Sequence, residues 1–276
     1  MKKNFSLAHS AITLLFVALF SHCVKPPITI PSPQHYEITK IIGESTSDWL
    51  DLDTIRITYN AQHDPIQVAG QHISTGNPQS LIGYDAQHRP RVLIGAYYDG
   101  NPSYEVAHKY ICDSKKRVVT DSMFYFGRYD RNTLTLLNAH YYYGTLRKYT
   151  YDNQDRITDM TEHRFEGTTY AELWTVKYFY NSSGNAYKIS TIIKNPDNTF
   201  SSSDVFPTYD DKVNPHQLHP MWQLMDLDYS KNNRFVADSY NKYGLPIHVT
   251  SNNDKYEGTV FLLNHLRNFE IVYGHK

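Results

Sequence analysis

Apolar and polar residues alternate along most of this chain in short runs. Examples are Arg56-Ile57-Thr58-Tyr59, Leu173-Trp174-Thr175-Val176-Lys177-Tyr178-Phe179-Tyr180 and Tyr187-Lys188-Ile189-Ser190-Thr191-Ile192-Ile193. A period of two puts an apolar or aromatic row on one sheet face and a polar row on the other, so these runs predict half-buried strands. The segments that separate them repeat. An aromatic residue is followed by Asp or Asn, three variable residues, a polar residue, and a return to apolar residues or Pro. Tyr59 to Ile66, Tyr84 to Pro90, Tyr151 to Ile157, Tyr180 to Asn185 and Tyr240 to Ile247 carry this motif, with weaker copies at Cys112 to Val118 and Tyr209 to Pro215. A longer gap precedes Tyr151, where a divergent copy near Tyr129-Asp130 is expected.

Each position has a chemical reason. Asp or Asn in second place accepts a backbone N–H two residues on and closes a turn. The fifth place needs a left-handed backbone, which Gly184 and Gly244 supply without steric cost. His63, His88, Lys116 and Asp155 take that place elsewhere and tolerate it less well. The motif is a repeated hairpin turn with a bulge, in which Asp85, Asp152, Gly184 and Gly244 are structural turn positions.

The expected fold is therefore all-β, an antiparallel meander of roughly twelve to fourteen strands. Accumulated twist should curl so long a sheet into a trough, half-barrel or barrel. Between Asn214 and Asn233 the pattern changes to Pro215, Pro220 and Met221-Trp222-Gln223-Leu224-Met225. This predicts a long loop with a turn or two of helix, capping an open end of the curled sheet.

The chain begins with Lys2 and Lys3, an apolar run from Ala11 to Phe20, and then Cys23 ahead of Pro26, Pro27, Pro31 and Pro33. The run is too short to cross a bilayer, which takes roughly 20 apolar residues, and has the anatomy of an export signal. Residues 1–22 are expected to be a signal peptide, 23–40 a proline-rich tether lipidated at Cys23, and 41–276 the β-repeat domain. With Cys23 so used, Cys112 has no disulfide partner and is expected to be a buried structural thiol. The 27 Lys and Arg against 28 Asp and Glu form no basic stripe, so nucleic acid is not an expected partner. Tyrosine dominates the aromatics, 24 against 12 Phe and 3 Trp, which suits strands whose rings are half buried while the hydroxyls stay wet.

The Tyr-Asp turns resemble the YD repeats of Rhs-like proteins. Together with the start at Cys23, and Tyr209-Asp210-Asp211-Lys212-Val213-Asn214-Pro215 followed by Ser230-Lys231-Asn232-Asn233, they resemble small Bacteroidota envelope lipoproteins of a domain-of-unknown-function family with a porin-like fold. That resemblance covers roughly Ile42 to Tyr273 and implies a fold and an outer-membrane address, with the periplasmic or surface face open. It carries over no catalytic residues.

The sequence holds no Gly-x-Ser-x-Gly, His-Glu-x-x-His or phosphate-loop motif. His216-x-x-His219, with Asp226 and Asp228, has the nearest thing to metal-ligand spacing, yet local hydrogen bonding accounts for it and no metal or cofactor is expected. Glu162, Glu166, Asp152, Asp155 and Asp159 fall within one repeat, as a carboxylate pair for glycan hydrolysis would require. Asp53-Thr54-Ile55 and Asp121-Ser122-Met123 are similar to a short O-glycosylation acceptor. The clusters Tyr97-Tyr98 and Tyr141-Tyr142-Tyr143 are candidate ligand-contact aromatics. The sequence thus points to a non-enzymatic envelope lipoprotein that binds or scaffolds a glycan or protein. A carboxylate hydrolase and a membrane-inserted barrel are the alternatives.

Overall fold

The computed structural model describes residues 35–45, 52–97, 102–137, 143–166, 169–195, 197–250 and 259–276, with the backbone alone at 143, 165–166 and 169–172. The signal, Cys23 and most of the tether lie outside these residues. Seventeen strands form one sheet, all pairs antiparallel. They are β1 (Tyr36–Ser45), β2 (Asp53–Tyr59), β3 (Pro65–Ala69), β4 (Gln79–Tyr84), β5 (Pro90–Ala96), β6 (Ser103–Cys112), β7 (Val118–Asp130), β8 (Thr135–Leu137) and β9 (Tyr143–Tyr151). The rest are β10 (Ile157–Glu166), β11 (Thr169–Tyr180), β12 (Ala186–Lys194), β13 (Phe200–Val205), β14 (Val236–Tyr240), β15 (Pro246–Thr250), β16 (Thr259–Phe261) and β17 (Asn264–His275). Most neighbours in sequence pair; β9 skips β8 to pair with β7, β15 skips β16 to pair with β17, and β1 pairs with both β2 and β17. The sheet stays open between β13 and β14 and does not close into a barrel. The surplus over the expected strand number includes the three-residue pieces β8 and β16, too short to show a period.

The turn motif forms as its chemistry requires. In Asp85 to Arg89 the Asp85 carboxylate accepts the N–H groups of Gln87 and Arg89, at 2.9 and 3.0 Å. The His88 N–H meets the Asp85 carbonyl, and His88 takes φ 59. Asn60, Asp113, Asp152, Asn181 and Asn241 repeat the side-chain bonds. The left-handed positions are His63, Lys116, Asp155, Gly184 and Gly244, as the sequence placed them. Because strand direction alternates, all these hairpins stand on one rim of the sheet.

Two expectations change. The copy at Tyr209 forms no hairpin: Asp210 donates to the carbonyl of Asn233, far along the chain. The Tyr129-Asp130 turn joins β7 to β8 at the opposite rim, so it does not fill the gap before Tyr151. One further turn of the same kind, at Asn195 to Thr199 with Asn198 at φ 65, also sits at the opposite rim and carries Lys194 where the motif has an aromatic.

The motif's tyrosine has a second task. Tyr84 on β4 donates its hydroxyl to the carbonyl of Pro65, the first residue of β3, at 3.1 Å. Tyr151 reaches Val118 at 2.6 Å, Tyr180 reaches Ile157 at 3.0 Å, Tyr209 reaches Ala186 at 2.9 Å and Tyr273 reaches Pro246 at 2.8 Å, each acceptor being the first residue of an earlier strand. Tyr59 bonds Ile38 in the same way. The result is a ladder of phenols that ties successive rim segments together, except at Tyr240, which donates to Asp210 instead. Cys112 stands on this ladder without a ring, its thiol 3.6 Å from the Pro90 carbonyl.

The inner face carries the main core, drawn from β1 to β7, β9, β10 and β15 to β17, including Ile38, Ile55, Ile82, Leu93, Ile157 and Phe269. Only a sheet wrapped around them brings side chains from so many strands together. A second cluster covers the outer face of β5 to β7, where Val92, Ile94, Ala107 and Phe124 pack with Leu134 and Leu136 of the β7–β8 hairpin. Strand β5 therefore reads Val92-Leu93-Ile94 with every side chain buried, where simple alternation would leave one face wet.

The interruption near residues 214–233 is an insert between β13 and β14. It contains a 3-10 turn (Pro215–Leu218) and helix α1 (Pro220–Asp226). The expected cap is an internal plug: Met221, Trp222, Leu224 and Met225 are buried in the main core. The insert also spans the open side at the rim, with Lys231 N–H bonded to the Gly184 carbonyl and Val213 N–H to the Gly244 carbonyl.

Candidate functional site

Between the plug and the hairpin rim lies a cleft of about 480 Å³. Its sheet wall is made by Tyr84, Pro90, Val118 and Tyr151, at the rim ends of β4, β5, β7 and β9. Its other wall is made by the start of α1, with His219, Met221 and Leu224, and by Tyr229 beyond it. Charged and polar side chains surround the mouth: Asp64, His88, Lys115, Lys116, Arg117 and Asp155.

These groups are mostly paired. The Asp64 carboxylate lies 2.9 Å from His88 Nδ1 and 3.6 Å from His219 Nε2. Asp155 takes Arg117 Nη1 at 2.8 Å and lies 3.6 Å from Lys115. Arg117 also holds Asp113 in its own turn and stacks on the Tyr151 ring, 4.7 Å from the centroid. Lys116 has no ion-pair partner among the described residues. Burial pushes the Tyr84 and Tyr151 hydroxyls above the ordinary phenol range, so both remain neutral donors.

His219 links the cleft to the plug. Its Nδ1 accepts the Met221 N–H at 3.0 Å and caps α1, which leaves the proton on Nε2, facing Asp64. Burial lowers its pKa to about 4, outweighing the attraction of Asp64 for the charged form. The folded value lies below that of an unfolded histidine, so the unfolded chain binds the proton first as pH falls. The contribution of the neutral ring is complete above pH 6.5 and is lost between 6.5 and 4, by about 3 kcal/mol in all. His219→Asn keeps a capping acceptor and cannot titrate. Denaturation at pH 7, 5.5 and 4 should show the wild type losing more stability than this variant across that window, and parallel losses would contradict the assignment.

Elsewhere on the inner face a polar row crosses five strands through directly paired residues, Tyr110, Asp121, Arg147, Glu162 and Trp174. Arg147 Nε lies 2.6 Å from Glu162 Oε2, and His108 Nδ1 lies 3.0 Å from both Asp121 oxygens. Sequence reasoning missed this row, whose members meet only through strand register.

The acidic residues that the sequence grouped are dispersed. Glu162 is buried in its ion pair with Arg147. Asp159 contacts Thr150 and Lys177 on the outer face, while Asp152 is held by Arg156 within its turn. Asp155 is at the cleft mouth, and the Glu166 side chain lies outside the described residues. His216 and His219 also part: His216 Nε2 bonds Asp226 at 2.6 Å inside the core, whereas His219 faces Asp64. Among the described residues no three His, Cys, Asp or Glu side chains gather as a metal cage. Cys112 is half-buried, and burial raises its thiol pKa. Thr54 and Ser122, in the two tripeptides similar to a glycosylation acceptor, lie within β2 and β7.

Of the candidate contact aromatics, Tyr97 donates its hydroxyl to Glu105 at 3.0 Å, at the opposite end of β5 from the cleft. Tyr98, Tyr141, Tyr142 and the Tyr143 side chain lie outside the described residues.

No family model matches the chain, and no curated protein matches it in sequence. Among solved structures the chain is similar to a porin-like protein from Bacteroides vulgatus, with a TM-score of 0.51 and 12% identity, over 86% of this chain and 98% of that one. At that identity the likeness is one of fold.

Proposed function

We propose that this chain is a cell-envelope lipoprotein, anchored through Cys23, whose β-domain binds a ligand without transforming it. The rim cleft carries the reading: it is roomy and aromatic-walled, and its two carboxylates are already engaged by imidazoles and cations rather than standing as a free acid and base. The outer face of β9 to β13 supports a domain standing in water rather than in lipid, since Thr150, Asp159, Lys177, Ser190 and Asp204 form a continuous polar row across it. An envelope address fits the porin-like neighbour.

Two tests follow. Metabolic labelling with a lipid precursor is expected to mark the wild type and not Cys23→Ala, and labelling that survives the change would refute the anchor. Glycan and peptide panels are expected to be retained by the purified chain without turnover. Turnover that disappears on changing Asp155 or Glu162 would instead make it a hydrolase.

A further inference from the structure

Tyr240 keeps its ring but gives its hydroxyl to Asp210, whereas at Cys112 the phenol ladder lacks the ring itself, and the rim cleft lies at that gap. Cys112 ends β6, between β4 with Tyr84 and β9 with Tyr151, and it points its thiol at the carbonyl of Pro90 as the tyrosines point their hydroxyls at equivalent carbonyls. Tyr84, Pro90, Val118 and Tyr151, which surround that position, form the sheet wall of the cleft. The turn arginines repeat the pattern. Arg117 covers the ring of Tyr151 and Arg156 covers that of Tyr180, at 4.7 and 4.0 Å, whereas the residue that Arg89 would cover is Cys112. The protein thus supplies the neighbours of a phenol ring without the ring.

We infer that the cleft binds a phenol ring that carries a carboxylate, the ring filling the ladder position left open at Cys112 with its hydroxyl toward the Pro90 carbonyl. This rests on the proposal that the cleft is a ligand site, and it names the ligand's chemistry. Charge sets the second requirement. Arg117 is shared between Asp113 and Asp155 and Lys115 lies near Asp155, but Lys116 is unpaired among the described residues and offers its charge at the mouth. The cleft has more volume than one ring needs, which leaves space for a short tail that ends beside these lysines.

Calorimetry on the full chain tests this with three probes: 3-(4-hydroxyphenyl)propionate, p-cresol, and the peptide acetyl-Glu-Tyr-Glu-amide. The free acid or the peptide should bind the wild type, and whichever binds tighter identifies the source as a small aromatic acid or a partner's tyrosine. Cys112→Tyr should weaken that binding at least about tenfold while melting no lower than the wild type, because the new ring completes the ladder. Cys112→Ala should keep it. Changing Lys115 and Lys116 together to Gln should weaken the acid several-fold and leave p-cresol unaffected. A folded Cys112→Tyr that still binds would overturn the inference, and so would a Cys112→Tyr that fails to fold, since a tyrosine is what the ladder would accept there. If no phenol binds while a panel ligand is still retained and competes at the cleft, this inference alone fails. If nothing binds there, the cleft is not a ligand site.

Discussion

Asp226→Ala is expected to destabilise the domain by about 3 to 5 kcal/mol, because it takes a buried carboxylate away from three nitrogens that it alone satisfies among the described residues. The carboxylate is 1% exposed at the end of α1. It takes His216 Nε2 at 2.6 Å and the N–H groups of Leu262 and Leu263 at 2.7 and 3.0 Å. Those two residues form the β16–β17 hairpin at φ 50 and 65, so a single side chain pins the plug to a strained turn. Burial would raise the pKa of this acid, but His216 and the two N–H groups reverse that and hold it below the ordinary carboxylate value. Its stabilisation is accordingly present above the unfolded carboxylate pKa and lost as pH falls through the lower folded value. Asp226→Asn keeps an oxygen for the hairpin and should lose less than alanine. Urea midpoints for the two variants check the order, and an alanine loss below about 1 kcal/mol would remove the pin from the account.

Gly184→Val and Gly244→Val are each expected to cost about 1 to 3 kcal/mol, and their sum in the double variant, since separate turns should be energetically independent. The backbone stands at φ 88 and 77. Space is not the obstacle: a Cβ at Gly184 would meet nothing closer than Lys231 at 3.5 Å, and one at Gly244 nothing closer than Lys212 at 3.7 Å. An alanine at each position, which adds only that Cβ, separates the backbone strain from any crowding by valine's methyls. Against a domain stability of about 5 to 15 kcal/mol, the double variant should shift the melting temperature clearly.

The rim turns were legible in the sequence because they are local. An Asx side chain, two N–H groups within four residues and one left-handed position close the hairpin with no help from the rest of the chain, as at Asp152 and Asn181. Locality also explains the misreadings. Tyr209-Asp210 has the right letters, but the insert captures Asp210 through Asn233, and Asn195 makes the turn without an aromatic before it. The cleft was legible only in pieces. Cys112 stood out as an irregular copy, yet its meaning depends on Tyr84, Pro90 and Tyr151, brought together by strand order. The Asp64–His219 contact and the Asp121–Arg147–Glu162 row join residues far apart in the chain, which no local pattern records.

Thermal melting of the two glycine variants beside His63→Gly and His88→Gly tests the repeated turn most directly. At φ 63 and 59 each histidine carries a left-handed penalty of roughly 1 to 2 kcal/mol that glycine would relieve. What glycine gives up is an exposed imidazole contact, to Glu37 at 3.2 Å or Asp64 at 2.9 Å, worth about 0 to 1 kcal/mol, together with some chain entropy. The account predicts clear loss at both glycines and no loss, or a slight gain, at both histidines; tolerance of valine at both glycines, or marked destabilisation at either histidine, would contradict it.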